Sequence, residues 1–390
     1  MMEHNHDLIK EGSVYLSAVS SGKGKGPGTK GGVFYNPAMV MNRDISVLIT
    51  EEILREYGQE VGKDLKILDG LCGTGVRALR LEKEVDWGGR DVEIFANDRD
   101  TAAFENTVRN IEINRSNVIP VKEDLPSLLH KRKFSLIDID PFGSPLHFLD
   151  SALRSIVNGG VIALTATDTA ALTGSIPRVA MRRYGARVQK TYFMHELSAR
   201  VLMGSMARLA ASRDMSAKPL YFYSSDHFVR GYLRMEKGAR KADRNLDSVG
   251  FLSYNEPDRP TIMNWKFNKR DMVEEIHFGP LWVGGLSERN LVKGILERIE
   301  TDELDNIASL KSIRKDLKRA YEEDMIPPGG FDVDIISSHA KVQQIKMDEL
   351  VDRIKEKGFL ASRSRFSDKV IKTDAHLDTI TRIMENEGAK

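Results

Sequence analysis

The sequence predicts an α/β protein built on a doubly wound parallel sheet. Short apolar runs end again and again in a carboxylate or a turn, at Asp69, Asn97-Asp98, Val121 and Asp140. Stretches with helical spacing lie between them, so strand and helix alternate at least four times, the rhythm of parallel strands joined by crossover helices. The first of these runs leads straight into a glycine-rich turn that opens a helix, which is where α/β sheets hold phosphate- or nucleotide-like ligands.

Taken in order, residues 1–20 begin polar and become strand-like at Ser13-Val14-Tyr15-Leu16. His4 and His6 read as solvated tail residues rather than metal ligands. Residues 20–32 are a flexible loop by composition, with Lys23, Lys25 and Lys30, and no P-loop spacing. Phe34-Tyr35-Asn36-Pro37 leads into a helical run containing Asn42-Arg43-Asp44. Lys66–Asp69 is the first sheet strand, followed by Gly70-Leu71-Cys72-Gly73-Thr74-Gly75 and a helix from Val76 to Val85. Strands follow at Val92–Ala96 and Val118–Val121, the latter ending in Lys122-Glu123-Asp124-Leu125-Pro126. Another is Phe134–Ile139, which Pro141 cannot prolong as a central strand. The next helix has one apolar face, Leu146, Leu149, Leu153, Ile156 and Val157, and stops at Asn158-Gly159-Gly160, a C-terminal cap. Val161–Thr167 is the fifth strand.

Residues 175–214 are helical and rich in arginine. Lys218–Ser225 and Phe228–Glu236 read as two strands around Asp226-His227, an antiparallel edge, and a cationic run through Arg230, Arg234, Lys237, Arg240, Lys241 and Arg244 follows. Asn255–Pro260 is a linker or long turn. Gly279-Pro280-Leu281-Trp282 opens a new module, with helices over Glu288–Glu300, Thr301–Asp324 and Ser337–Lys357. The stretch Gly358–Phe366 alternates cations with aromatics, in the manner of the wing of a winged-helix element.

Composition narrows the classes. The chain has 390 residues, 41% hydrophobic and 29% charged, with a net charge of +1. A nucleic-acid partner therefore requires a local basic surface. The single cysteine, Cys72, excludes an internal disulfide and a thiolate zinc cluster. The first residues have no apolar signal-peptide core and no stretch is long and apolar enough to span a membrane, so a cytoplasmic protein is expected.

The candidate site gathers at the strand ends. Gly73-x-Gly75-x-x-Ala78 fits the dinucleotide fingerprint, and Asp98 follows 20 residues after Ala78. An acid there accepts hydrogen bonds from ribose hydroxyls. The pair points to an adenosine-containing cofactor without separating NAD from S-adenosylmethionine, and a helix N-cap role competes for the acid. Asp140-Pro141-Phe142-Gly143 puts a carboxylate, a turn and an aromatic at the end of a buried strand, which suits a flat hydrogen-bonding substrate; a plain turn is the competing reading.

In combination these segments resemble the tRNA (guanine-N2)-dimethyltransferases that act on guanine 26. The matching stretches are Phe34-Tyr35-Asn36-Pro37 with Asn42-Arg43-Asp44, Leu68-Asp69-Gly70 with Gly73–Arg77, Asn97-Asp98, Asp138–Pro145, Gly279–Trp282, Ala361-Ser362-Arg363 through Phe366-Ser367, and Ile371–Ala375. The resemblance implies a class I methyltransferase domain over residues 1–245, with an N-terminal extension, that binds S-adenosylmethionine. It implies a C-terminal α+β tRNA-binding domain, with a winged-helix-like element, over residues 246–390. It implies cofactor contacts from Arg43, Asp69, Gly73, Gly75, Arg77, Asp98, Asp124 and the backbone at Leu125. It makes Asp140 the catalytic carboxylate, with Pro141 and Phe142 beside the base. Arg240, Lys241, Arg244, Arg363 and Arg365 are candidate RNA contacts. No membrane or protein partner is implied. Many family members carry a four-cysteine zinc site that this chain lacks near residues 245–265, so no zinc is expected.

An exocyclic guanine amine is a poor nucleophile because its lone pair is delocalised into the ring. A carboxylate at Asp140 and a backbone carbonyl near Pro141, each accepting one N–H, favour the tetrahedral geometry needed for attack. Phe142 suits stacking on a base swung out of the tRNA, with plain core packing as the alternative. Asp138 points the same way as Asp140 by strand alternation but is not the expected base. An NAD-dependent oxidoreductase leaves Asp140-Pro141-Phe142-Gly143 without a role. A catalytically silent RNA-binding protein leaves the intact Asp140 and glycine turn unexplained.

Overall fold

Five apolar runs of the sequence form five parallel strands in a computed structural model that describes residues 8–20, 33–61, 64–225, 227–254, 256–264 and 276–388. His4, His6, Lys23, Lys25, Lys30 and Asp226 lie outside the described residues. In chain order the elements are β1 (Leu8–Glu11), β2 (Val14–Ser17), β3 (Val19–Ser20), β4 (Phe34–Tyr35), α1 (Val40–Val61), β5 (Asp64–Asp69), α2 (Val76–Glu84), β6 (Asp91–Asn97), α3 (Thr101–Ile113), β7 (Ile119–Val121), α4 (Leu125–Lys131), β8 (Phe134–Ile139), α5 (Leu146–Ser155) and β9 (Ile156–Ala166). They continue with α6 (Thr169–Leu172), α7 (Pro177–Tyr184), α8 (Met194–Ala211), β10 (Met215–Ser225), β11 (Phe228–Lys237), α9 (Ala239–Leu246), β12 (Val249–Tyr254), β13 (Thr261–Asn264), β14 (Ile276–Trp282), α10 (Arg289–Thr301) and α11 (Leu310–Glu323). The last are β15 (Phe331–Asp332), α12 (Val333–Ala340), α13 (Met347–Glu356), β16 (Ala361–Arg363), β17 (Val370–Thr373) and α14 (Leu377–Gly388).

The chain packs into two compact units, each discontinuous in sequence. The first takes in the described residues up to Pro141, residues 145–164 and residues 293–315; the second takes in 142–144, 165–292 and the described residues from 316 onward. The chain returns to the first unit after residue 292.

In the first unit the parallel strands run in the order β9-β8-β5-β6-β7. All six residues of β8 are buried, and for that reason the run reads as nearly continuous apolar sequence. Phe95 and Phe134 meet edge to face, centroids 5.6 Å apart. Asp69 lies level with Ala96 on β6 and with Asp138 on β8. The register therefore brings Asp69, Asn97-Asp98 and Asp138–Asp140 to one edge, at the carboxyl ends of the strands, where α/β sheets bind ligands. Backbone bonds fix this edge: the Gly70 N–H donates to the Asp138 carbonyl at 2.9 Å, and the Cys72 N–H to the Asn97 carbonyl at 2.9 Å.

One expected boundary is corrected. α5 ends at Ser155, and Asn158-Gly159-Gly160 lies inside β9 rather than capping the helix. The register slips there, from Phe134 opposite Ile156 to Leu136 opposite Val161. The strand absorbs the glycines as an irregularity, so Ile156 and Val157 are strand residues.

Residues 293–315 act as a late strap on the first unit. The Arg298 guanidinium pairs with Glu51 at 2.8 Å, the Ser309 N–H donates to Asp44 at 2.8 Å, and Asn306 donates to Glu84 at 2.9 Å. Arg80 is fully buried beneath it, with Glu11, Asp44 and Glu84 within 3.0 Å. Three carboxylates around one guanidinium offset the cost of burying it and hold its pKa above the ordinary arginine value despite desolvation.

The second unit contains the antiparallel pair β10–β11, a three-stranded sheet β13-β12-β14, and a three-stranded sheet β15-β17-β16 packed with α12, α13 and α14. The arginine-rich stretch 175–214 is two helices, α7 and α8, separated by residues 185–193. Asn255 lies outside the described residues; residues 256–260 fall between the paired strands β12 and β13, the long turn of the two expected alternatives rather than the linker, and Gly279-Pro280 sits inside β14, which pairs with β12 instead of opening a module. The helix read over 301–324 is α11 alone, and that over 337–357 is α12 and α13. Glu196, Arg200 and Lys372 form a buried ion cluster, with Glu196 2.7 Å from Arg200 and 2.9 Å from Lys372.

Candidate active site

Asp140 stands one residue beyond β8, and its side chain keeps 18% exposure. Arg77, on the first turn of α2, donates from Nη2 to Asp140 Oδ2 at 2.5 Å, while its Nε lies 3.5 Å from Asp138 Oδ2. Its Nη1 donates to Asn42 at 2.8 Å and to Ser46 at 2.5 Å. One buried guanidinium thus spans both carboxylates of the Asp138-Ile139-Asp140 stretch. It fixes one oxygen of Asp140; the other, Oδ1, takes no hydrogen bond among the described residues. Asp138 is 2% exposed, with Arg77 as its neighbour.

The glycine turn and Asp98 come together as expected. The Gly73 N–H donates to Asp98 Oδ2 at 3.1 Å, and the Asp100 N–H to Asp98 Oδ1 at 3.0 Å. The helix cap is Asp100, which accepts from Ala103 at 2.9 Å, so Asp98 is left facing the turn. Gly73 and Gly75 have φ of +56° and +75°, in the left-handed region that disfavours side chains. A Cβ at Gly73 would meet open space, whereas one at Gly75 would sit 2.9 Å from Thr107 Cγ2. The first glycine borders open space; the second lets α2 pack on α3. Asp69 is buried at the end of β5 and Asp124 is exposed at the start of α4, before the buried Leu125. Burial, with Asp69 nearby, raises the Cys72 thiol well above its ordinary pKa, so it is an inert packing group rather than a nucleophile.

Arg43 is engaged by its own neighbours. Nε and Nη2 donate to the two oxygens of Glu11, both at 2.6 Å, and the guanidinium lies over the Tyr35 ring at 5.2 Å. Burial would raise the Glu11 pKa, but Arg43 outweighs it and the carboxylate is held below its ordinary range. The expected cofactor contact from Arg43 would have to share this guanidinium with Glu11.

Beyond Pro141, residues 142–144 belong to the second unit. Phe142 is 74% exposed, so it is not core packing. Its follower Gly143 is clamped at both backbone groups by Thr167: the Gly143 N–H donates to Thr167 Oγ1 at 2.6 Å, and the Thr167 N–H donates to the Gly143 carbonyl at 2.9 Å. The Tyr184 hydroxyl donates to Asp168 at 2.6 Å and lies 3.1 Å from Ser144 Oγ. Thr167 and Asp168 carry no sequence signal beyond being a polar pair just after the fifth strand, and Tyr184 carries none.

The basic candidates divide. Arg240 and Arg244 are exposed one turn apart on α9, while Lys241 pairs with Glu236 at 3.0 Å. Arg363 bridges Asp348 and Asp368. Arg365 is corrected as an RNA contact: it is buried, 2.9 Å from Glu323, with its guanidinium beside the Tyr221 and Phe366 rings. Arg230 and Arg234 of the same cationic run are buried too. Among the described residues no cluster of three or more His, Cys, Asp or Glu side chains is placed to hold a metal, and no helix is long and apolar enough to cross a membrane.

Parallel strands, a glycine turn after the first sheet strand, an acid at the end of the second and a clamped carboxylate beyond the fourth make up the strand-end layout that in α/β enzymes suits a nucleotide-type cofactor. The family profile described as N2,N2-dimethylguanosine tRNA methyltransferase matches residues 20–385, and the chain belongs to that family. A tRNA (guanine(26)-N(2))-dimethyltransferase of Methanosphaera stadtmanae is 31% identical over 97% of this chain and 96% of its own length. The enzyme of that name from Methanocaldococcus jannaschii is 33% identical, covering 89% and 91%. Among solved structures, the complex of Trm1 from Pyrococcus horikoshii with S-adenosyl-L-methionine superposes with a TM-score of 0.83 at 29% identity, over 97% of this chain and 99% of that one.

Proposed function

We propose that this chain transfers methyl groups from S-adenosylmethionine to the exocyclic N2 of guanine 26 in tRNA, with Asp140 as the carboxylate that receives the amine. Family membership supports the substrate and the cofactor. The observation that carries the residue assignment is the state of Asp140: one oxygen anchored by Arg77, the other without a hydrogen bond and partly exposed.

The strand-end residues fit the cofactor. The open face of Gly73 and the Asp98 carboxylate beside it suit a ribose, Asp124 and the Leu125 backbone suit an adenine edge, and Asp69 with Arg77 stands near the turn where the amino-acid end would lie. Bound there, S-adenosylmethionine supplies an electrophilic sulfonium methyl. Asp140 Oδ1 accepts one amine N–H while a backbone carbonyl near Pro141 accepts the other, which tilts the nitrogen lone pair out of conjugation. As nitrogen attacks, positive charge grows on it and the fixed carboxylate stabilises that charge, an effect worth about 3–4 kcal/mol. Asp140 then takes the proton. Phe142, next but one in the chain and exposed, stacks on the extruded base. A second round on the same amine gives the dimethyl product.

The C-terminal sheet β15-β17-β16 with α12, α13 and α14 has the helix-helix-hairpin order of a winged helix, which supports reading it as the tRNA-holding element of residues 246–390. The test is nucleoside analysis of a tRNA transcript after incubation with labelled S-adenosylmethionine. N2-methylated guanosine at position 26 is the expected product. Label on another base, or none with active protein, overturns the proposal.

A further inference from the structure

Residues 175–190 carry five cations, Arg178, Arg182, Arg183, Arg187 and Lys190, and no acid, in a protein whose net charge is +1. The structure sorts them by face. On the inner side of α7, Tyr184 is buried against Asp168 and Ser144, and Arg183 pairs with Asp168 at 2.8 Å. On the outer side Arg178 and Arg182, one turn apart, are exposed and make no ion pair among the described residues. Two large apolar side chains flank them, Ile176 at 48% and Met181 at 52% exposure. One short helix thus touches the segment that carries Phe142 with its inner face and offers unpaired cations with its outer face.

We propose that the outer face of α7 grips the tRNA backbone beside the target guanine, with Arg178 and Arg182 on phosphates and Met181 and Ile176 against sugar or base surface. The inference rests on the methyltransferase function proposed above and adds a contact surface to it. Unpaired guanidinium groups suit phosphate oxygens. Phosphate contacts position a nucleic acid without reading its sequence. The tie from Tyr184 to Ser144 makes that positioning useful, because it sets the gripping helix at a fixed place relative to the exposed aromatic. The apolar surface is too small, and the helix too short, for membrane insertion.

The experiment uses full-length protein carrying Arg178→Gln and Arg182→Gln together, and tRNA transcript binding measured across a salt series. The expected result is binding about tenfold weaker, with a log–log salt slope shallower by about two, one per phosphate contact removed. S-adenosylmethionine affinity and melting temperature should stay at wild-type values, since both side chains are exposed. A higher KM for tRNA with kcat held at saturating tRNA is expected, and Arg178→Lys with Arg182→Lys should restore most of the slope. If the glutamine variant binds tRNA with unchanged affinity and slope while wild-type protein methylates guanine 26, the α7 surface is refuted and the enzymatic reading stands; the face then belongs to another partner, such as a protein. If wild-type protein neither binds nor methylates tRNA, both readings fall together.

Discussion

Arg77 serves two carboxylates with one side chain, and that double duty makes it the most exposed point of failure in the site. Replacing it by methionine leaves Asp138 buried without its cation, and breaking a buried pair costs about 3–5 kcal/mol; urea denaturation of Arg77→Met should show a loss of this size. Asp140→Asn tests chemistry instead. It keeps the shape of the carboxylate, so S-adenosylmethionine binding should persist by calorimetry, while methyl transfer falls at least about 100-fold. Retained turnover in Asp140→Asn would remove Asp140 from the mechanism. The place of Asp140, after an apolar run and before a proline, could be read from the sequence, but a plain turn fitted it as well as a site did. The clamp on it could not be read, because nothing in Val76-Arg77-Ala78 says which of several acids a guanidinium one turn into a helix will meet. Arg365 failed for a related reason: a cation between serine and phenylalanine reads as a wing tip, but Glu323, some forty residues away in sequence, draws it inside.

Elements were legible where their period was clean. β8 and the turn after β5 stand where the sequence placed them, since an apolar run and paired glycines have few alternative structures. The α5–β9 boundary was not, because Asn-Gly-Gly serves equally as a helix cap and as an irregularity in a strand; only the partner strand decides. Gly75 gives the element-scale prediction. Gly75→Ala must adopt φ near +75° and approach Thr107 to 2.9 Å, costing about 1–2 kcal/mol for the backbone alone. Thr107→Ser removes the methyl it strikes. The double variant should therefore recover part of the stability lost by Gly75→Ala, leaving the backbone part. Strict additivity in thermal melts would show that the close contact is not the cause.

Across the whole molecule, charge buried in the second unit predicts how stability follows pH. Burial pushes the Glu196 carboxyl up, yet Lys372 and Arg200 outweigh it and hold its pKa at about 2, against an ordinary value of 4.5. A depressed folded pKa adds stability that is fully present above the unfolded value and is lost as pH falls from about 4.5 toward about 2. Glu323 works in the opposite sense, since burial raises its pKa despite Lys372 and Arg365. The comparison of wild type with Glu196→Gln isolates the first effect: the variant should be less stable at neutral pH, and the gap should close through that acid window. A gap independent of pH would assign Glu196 a packing role alone.

The strap of residues 293–315 also fixes when the first unit can be finished. A chain emerging from the ribosome presents β5 through β9 long before Arg298, Asn306 and Ser309 exist. Until they arrive, Glu51 lacks Arg298, and Asp44 and Glu84, already paired with Arg80, lack Ser309 and Asn306. The nascent first unit must therefore wait, partly assembled, through more than a hundred residues of further synthesis. A fragment stopped at residue 245 is frozen in that waiting state, and it should melt earlier and less cooperatively than the full chain in calorimetry. Adding back a peptide of residues 289–324 in trans should raise its melting temperature in proportion to peptide concentration.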